Sequence, residues 1–172
     1  TFWLDLNYFT GTLPNFQALR DLTELVLCGN YLSGILSDSF SYTSRLEVVY
    51  FSTNLFSGSL PASLGALPAA KIIFLSENLF TGTVPSLTGL TSTLQLDLSE
   101  NDLSGSLTDV FDASQQVAML DVFLNDNQLT GSLPDELFLL PKLNTIVAQG
   151  NCFTGTLPAA MCDSPAMVSL IL

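Results

Sequence analysis

The sequence predicts an α/β solenoid, a stack of similar coils whose short parallel strands lie side by side. The phrase NxxxGxLP, complete or with one change, recurs seven times, and its leading asparagines are 23 to 26 residues apart. A fixed period of this size is typical of stacked coils, because each coil repeats the geometry of the one before it. The leading asparagines are Asn7, Asn30, Asn54, Asn78, Asn101, Asn127 and Asn151.

Apolar residues precede each asparagine at fixed distances and predict the first strand of each coil. They lie three, five and usually eight positions back, as Leu46, Val49 and Phe51 do before Asn54. Alternation of this kind predicts a strand whose residues at minus five and minus three face the core. Stacked coils then form one parallel sheet with strands about 4.8 Å apart. The asparagine amide both donates and accepts, so we expect it to satisfy backbone groups in the following turn.

A second alternation follows each asparagine and predicts a second, shorter parallel sheet. Positions plus two and plus six are apolar and are expected to face inward, whereas plus four is glycine in all seven copies. Glycine permits a positive φ or a close backbone approach. Positions plus three and plus five are almost always Ser or Thr, which predicts two outward columns of hydroxyls. Proline follows in five copies and ends strand pairing, because it has no N–H to donate.

The rest of each coil is expected to return along the convex side in 3-10 or single helical turns. The stretches ASLGALPAAK and DELFLLPK are of this kind. The longest coil contains DVFDASQQVAM, residues 109–119, for which we predict a short helix.

The repeat unit, LxxLxLxxNxLxGxLP, is that of a leucine-rich repeat. Its LxGxLP phrase resembles the LxGxIP phrase of plant-type leucine-rich repeats, found in receptor ectodomains, in secreted polygalacturonase inhibitors and in secreted proteins of diatoms and other algae. The resemblance covers essentially the whole chain and implies a horseshoe-shaped solenoid with the first sheet on its concave face. It also implies an extracellular or cell-surface location. Residues 1–172 are expected to be one domain segment, with seven repeat cores, a partial final repeat and neither cap.

Composition excludes several classes of partner. The chain has sixteen acidic residues and only four basic ones, which gives a net charge of −12. The basic residues are Arg20, Arg45, Lys71 and Lys142. Nucleic acids and anionic membranes attract positive charge, so neither is an expected partner. A basic protein or peptide fits better, although solubility alone also explains the charge. No apolar run approaches the roughly 18 residues of a membrane span.

The residues available for catalysis or metal binding are few. The chain has no histidine, which excludes Ser–His–Asp and Cys–His catalysis, and we expect no enzyme activity and no cofactor. Asp97 and Asp121 fall on outward strand positions of neighbouring coils and are the candidates for a glycosidase-like carboxylate pair. A column of carboxylates that precede the asparagines, near Asp102, could hold calcium or form a solvated acidic edge. The members of that column are Glu77, Glu100 and Asp126.

Three cysteines leave an odd count: Cys28, Cys152 and Cys162. Their places in the coils argue against pairing within the chain, so free thiols are one interpretation. The resemblance to algal repeat proteins implies another, in which Cys162 pairs with a residue beyond Leu172 in a cysteine-rich cap.

Outward residues of the first sheet form the candidate binding face. Four positions before the asparagine, seven of the eight residues are apolar or aromatic. Six positions before it, Val48 and Ile72 are two further apolar residues. A solvated sheet face should be polar, and an exposed apolar patch usually marks an interaction site. Packing of these side chains on one another along the sheet is the alternative. The candidate residues are Trp3, Val26, Val48, Tyr50, Ile72, Phe74, Asp97, Asp121, Phe123 and Val147.

These observations predict non-catalytic recognition of a protein or peptide on the concave face. One alternative uses the hydroxyl columns as a regular array for ice, mineral or carbohydrate. Another is a structural module of an adhesive or extracellular-matrix protein that associates through its open ends.

Overall fold

The computed structural model describes residues 1–16 and 18–172 and confirms the solenoid. Two parallel sheets enclose one continuous apolar core. An eight-stranded sheet, here the concave sheet, is made of Phe2–Trp3, Glu24–Val26, Val48–Tyr50, Ile72–Phe74, Gln95–Asp97, Asp121–Phe123, Thr145–Val147 and Ser169–Ile171. A seven-stranded sheet, here the second sheet, is made of Thr10–Gly11, Tyr31–Ile35, Leu55–Ser59, Leu79–Thr83, Asp102–Gly105, Gln128–Gly131 and Cys152–Phe153.

Strands of the concave sheet pair without offset from coil to coil. Tyr50 lies opposite Val26 on one side and Phe74 on the other. The residues between them in sequence face the core, and Val49 and Ile73 are fully buried. The predicted inward and outward positions of this sheet are therefore confirmed.

The asparagines form the predicted ladder of hydrogen bonds. The Nδ2 group of Asn78 donates to the carbonyls of Leu75 at 3.2 Å and of Phe51, one coil back, at 3.1 Å. Its Oδ1 accepts the N–H of Phe56, also one coil back, at 3.0 Å. Each ladder asparagine in the interior of the stack thereby satisfies groups that the turn would otherwise leave unpaired. The buried members are Asn30, Asn54, Asn78, Asn101 and Asn127.

Strands of the second sheet pair with an offset of two residues per coil, and the prediction of straight hydroxyl columns is wrong. Ile35, at plus five, lies opposite Ser57, at plus three of the next coil. Ser59 likewise lies opposite Thr81. Alternation predicts which side a residue faces, but it carries no information on the offset between coils. The hydroxyls therefore form staggered diagonals, which does not favour the array alternative for ice, mineral or carbohydrate.

Glycine at plus four is required by this offset. Gly58 has φ of +76°, and a Cβ there would come within 2.8 Å of the Ile35 Cγ2 atom. The side chain at plus five of one coil thus lies against the glycine of the next. The positive φ predicted for the glycine is confirmed at this position, and the close neighbour is a side-chain atom of Ile35 rather than backbone.

The convex side is formed by short helical turns, as predicted for ASLGALPAAK and DELFLLPK. The 3-10 helices are Asp38–Tyr42, Ala62–Ala66 and Ala159–Asp163, and the α-helix is Asp135–Phe138. Among the described residues, no helix is long and apolar enough to span a bilayer.

The helix predicted for residues 109–119 is wrong, because that segment folds into successive turns. Asp112 Oδ1 accepts the Ser114 backbone N–H at 2.9 Å and its hydroxyl at 2.6 Å. Gln116 is fully buried, where its Oε1 accepts the Asp112 N–H and its Nε2 donates to the Leu87 carbonyl. Side chains that hydrogen-bond locally to the backbone compete with helix formation, and in this segment they stabilise turns instead.

Candidate functional site

All ten predicted site residues lie on outward positions of the concave sheet, in two rows. The first, here the aromatic row, consists of Trp3, Val26, Tyr50, Phe74, Asp97, Phe123, Val147 and Ile171. The second, here the mixed row, consists of Glu24, Val48, Ile72, Gln95, Asp121, Thr145 and Ser169. Both rows run straight across the sheet, because its strands pair without offset.

The centre of the site is an apolar cluster of four side chains. The rings of Tyr50 and Phe74 pack edge to face, with centroids 5.2 Å apart and an interplanar angle of 88°. Val48 and Ile72 lie opposite each other beside them in the mixed row. All four are half-buried. Part of the alternative is therefore confirmed, since these side chains do pack on one another.

The strands that present this cluster are fixed by the core beneath it. Each has three residues, of which the middle one is fully buried, as Val49 and Ile73 are. The buried residue fixes each strand in place, so its two outward neighbours are presented from a rigid element. Edge-to-face packing of aromatic rings contributes about 0.5–1.5 kcal/mol beyond the area it buries.

The two aspartates that were suggested as a carboxylate pair each hydrogen-bond to a different residue. Asp97 Oδ1 accepts the Ser99 hydroxyl at 2.6 Å and the Ser99 N–H at 3.0 Å. Asp121 Oδ2 accepts the amide of Gln95 at 3.0 Å. The register places Asp97 opposite Phe123 and Asp121 opposite Gln95, so the two carboxylates lie in different rows. Their second oxygens make no hydrogen bond to any described residue, which leaves them free to accept N–H donors from a ligand.

Negative charge surrounds the aromatic cluster and affects Tyr50. Burial is the main cause that raises the pKa of Tyr50, and the charges of Cys28 and Asp97 add to it. Burial is also the main cause that raises the pKa of Cys28, followed by the charge of Asp5. The Tyr50 hydroxyl therefore stays protonated at neutral pH and can donate a hydrogen bond to a ligand.

Two of the four cations lie where each strand of the concave sheet begins, and both are paired. Arg45 contacts Asp21 at 2.8 Å. Lys71 contacts Glu47 at 2.6 Å, and both pairs are solvent-exposed. Exposed pairs of this kind contribute little to stability. They neutralise carboxylates at the start of the strands and leave those beyond the strand ends uncompensated.

The suggestion of a calcium site is not supported. Glu77, Glu100 and Asp126 are exposed, and all three have φ between 52° and 55°. Within residues 1–16 and 18–172, no three carboxylate, thiol or imidazole side chains come together as metal ligands. The solvated acidic edge is the interpretation that fits this column.

Sequence reasoning missed some residues of the candidate face and one entire surface. Glu24 lies in the mixed row, where its Oε2 accepts the indole N–H of Trp3 at 2.9 Å. Apolar side chains at plus one are exposed on the second sheet, as Leu55 and Leu79 are. The alternation that predicts outward positions plus three and plus five applies equally to plus one, so the signal was present.

The comparisons with known proteins agree with this architecture. The family model described as leucine-rich repeat matches residues 21–42. No curated protein matches the chain. The ectodomain of the Arabidopsis receptor kinase HAESA, solved with the peptide hormone IDA and a co-receptor, superposes with a TM-score of 0.91 at 29% identity over 99% of this chain and 29% of its own.

Two further plant receptors are similar. The ectodomain of the Arabidopsis thaliana receptor kinase GASSHO1/SCHENGEN3, in complex with CASPARIAN STRIP INTEGRITY FACTOR 2, gives a TM-score of 0.86 and 31% identity over 96% of this chain. The plant peptide hormone receptor RGFR1, in complex with RGF2, gives 0.76 and 27% over 99%. The chain spans only 20% and 31% of these two proteins.

Fold and repeat pattern together define the architecture as a leucine-rich-repeat solenoid, and the matched structures are of the plant type. Its similarity is to the ectodomains of plant receptor kinases.

Proposed function

We propose that this chain is a non-catalytic recognition module of a secreted or cell-surface protein, and that it binds a peptide or an extended protein segment on its concave face. The observation that carries the proposal is the cluster of Tyr50 and Phe74, flanked by Val48 and Ile72, at the centre of a sheet face that remains open to solvent. Rigid aromatic side chains at the centre of a surface are the usual anchors of protein interfaces.

The polar neighbours of the cluster favour a ligand of defined chemistry. Asp97 follows Phe74 directly in the aromatic row, and Asp121 lies on the next coil. Each has a carboxylate oxygen that is not used within the described part of the chain. A ligand with an apolar side chain over the cluster and a Lys or Arg one or two coils further along would satisfy both features.

The similar receptors support this class of ligand. HAESA was solved with a peptide hormone, and RGFR1 is a peptide hormone receptor solved with RGF2. This chain corresponds to under a third of either protein, so the ligand of the whole protein is part of the proposal.

The test is a selection of random peptides, displayed on phage, against the intact chain. Binders are then measured against Tyr50→Ala and Phe74→Ala. Each substitution is expected to weaken binding by about 2 kcal/mol, or roughly 30-fold, because a central anchor is truncated. Thr130→Ala is the matched control, since Thr130 is an exposed strand residue of the second sheet, away from the concave face.

Folding must be checked in parallel. Both rings are half-buried and pack edge to face, so each variant should remain folded with a melting temperature a few degrees below that of the wild type, and binding is measured well below it. Peptides that bind both aromatic variants as tightly as the wild type would place the site elsewhere and contradict the proposal.

Asp97→Asn tests the electrostatic part separately. A neutral amide of the same shape should lower the association rate and reduce its salt dependence, because a charge near an interface steers encounter. Stopped-flow association at two salt concentrations measures both. If the salt dependence of the association rate is unchanged, Asp97 is not part of the site. The proposal for Tyr50 and Phe74 would not be affected.

A further inference from the structure

The second sheet presents an apolar patch that the concave site does not explain. Its members, here the ridge patch, are Tyr31, Ile35, Leu55 and Leu79, which are 52%, 69%, 46% and 49% exposed. All four lie on coils with a neighbouring coil on each side. Their exposure is therefore a property of the repeat and not of an open end. Tyr50 and Phe74, on the concave sheet of the same coils, are more buried than any of them.

The offset between strands explains why these side chains stay exposed. Ile35 lies opposite Ser57, which lies opposite Leu79 in turn. Ser33 lies opposite Leu55 in the same way. Small, half-buried serines therefore lie directly opposite the large apolar side chains of Ile35, Leu55 and Leu79. The result is a surface of apolar projections and shallow hollows, and exposed apolar patches of this kind mark interaction sites.

Uncompensated negative charge borders the patch on its C-terminal side. Glu77 lies two residues before Leu79, the Glu100 carbonyl accepts the Asn78 N–H, and Asp102 lies opposite Thr81. The side chains of Glu77, Glu100 and Asp102 are all exposed. The four basic residues of the chain each lie a few residues before a strand of the concave sheet. None of the four follows an asparagine onto the second sheet. The acidic residues of this border instead lie after those strands, next to the second sheet.

We infer that the ridge patch is a second docking surface, for a protein partner whose contact region has an apolar centre and Lys or Arg beside it. It is distinct from the concave site because it lies on the other sheet, and one partner can occupy it while a peptide occupies the concave face. Charge complementarity selects this occupant: the apolar part covers Leu55 and Leu79, and the basic part faces Glu77 and Asp102. A second copy of the chain is disfavoured, since it would bring together two acidic borders in a molecule of net charge −12.

The test uses the same probe, phage-displayed random peptides selected on the intact chain, with a different pair of variants. The double substitution Leu55→Ser and Leu79→Ser should weaken one class of selected peptides by at least 10-fold. Tyr50→Ala should leave that class unchanged. The class should be rich in Lys and Arg next to apolar residues, and its affinity should fall as salt rises, because the paired charges are solvent-exposed.

Leu139→Ser is the matched control, since Leu139 is a leucine of similar exposure, 52%, directly after the helix Asp135–Phe138 on the convex side. The melting temperature of the double variant should stay within about 2 °C of the wild type, because the replaced side chains are exposed.

Three results would overturn the inference. The first is a selection that yields only peptides sensitive to Tyr50→Ala. The second is a ridge class without basic residues or salt dependence. The third is a dimer of the wild type, seen by analytical ultracentrifugation, that the double substitution abolishes, since the occupant would then be a second copy. None of these bears on the concave proposal, which depends on the other variant pair.

Discussion

The concave sheet and the second sheet come from the same repeats, yet they present their apolar side chains differently. On the concave sheet, strands pair without offset, so Tyr50 lies beside Phe74 and the two rings cover each other. On the second sheet, the offset of two residues places Ser57 between Ile35 and Leu79. The register between coils, rather than the hydrophobicity of the residues, decides how much apolar surface remains open to a partner.

The largest expected effect concerns the inward side of the second sheet. Phe80 is fully buried, so Phe80→Ala should lower the free energy of unfolding by about 3–5 kcal/mol through lost burial and a cavity. Phe9 occupies the same repeat position but is 47% exposed, so Phe9→Ala should cost clearly less. Urea denaturation of both variants measures the difference. Equal losses would mean that the position and not the burial determines the cost.

A medium effect should separate two glycines of the second sheet. Gly58→Ala introduces a Cβ 2.8 Å from Ile35 Cγ2, in addition to the strain of a positive φ, and should cost about 2–3 kcal/mol. Gly82→Ala has the same φ strain, but its nearest neighbour is Ser59 Cβ at an ordinary 3.6 Å, so about 1 kcal/mol is expected.

The pair of glycine variants has an internal check. In an Ile35→Ala background the contact with Cγ2 is gone, so Gly58→Ala should cost no more than Gly82→Ala. If urea denaturation shows that the extra cost persists in that background, the close approach of Ile35 is not its cause.

The smallest expected effect is a titration on the concave sheet. The pKa of Tyr50 is raised in the folded state, so the unfolded chain ionises first as pH increases. The stability contributed by neutral Tyr50 is complete below the unfolded pKa of about 10 and is lost as pH rises through the folded pKa. Absorbance titration near 295 nm of wild type and Tyr50→Phe should differ by one phenol with a midpoint above 10. If the phenol that is lost in Tyr50→Phe titrates with a midpoint at or below 10, the partly buried, negatively charged surroundings of Tyr50 do not raise its pKa.

Most of the fold could be predicted from sequence because the same residue types recur at the same positions in seven repeats. The inward positions, the asparagine ladder and the glycine with positive φ each follow from residue chemistry at a fixed place. The offset of the second sheet could not be predicted, since alternation gives the side a residue faces and nothing about its lateral partner. The turns around Asp112 and Gln116 could not be predicted either, because they depend on a contact with Leu87 in the preceding coil.

The candidate site was predicted in outline and missed in detail for a related reason. The apolar residues Tyr50 and Phe74 are evident on outward positions, and the close ring contact follows from direct register. The hydrogen bonds of Asp97 to Ser99 and of Asp121 to Gln95 depend on side-chain rotamers, which the repeat pattern does not specify. The outward position of Leu55 and Leu79 follows from the alternation, but the serines that lie opposite them depend on the offset, which the sequence does not specify.

The asparagine ladder gives the stack a direction. From Asn30 onward, each asparagine reaches back to the preceding coil: the Asn101 side chain accepts the Phe80 N–H and donates to the Leu75 carbonyl. When the coil on the C-terminal side detaches, a backbone N–H of the remaining coil therefore loses its hydrogen-bond acceptor. A coil that detaches from the N-terminal side instead leaves an asparagine amide with other acceptors still in reach. The two ends of the stack therefore expose different unpaired groups: backbone N–H groups where a C-terminal coil is removed, and asparagine Oδ1 atoms where an N-terminal coil is removed.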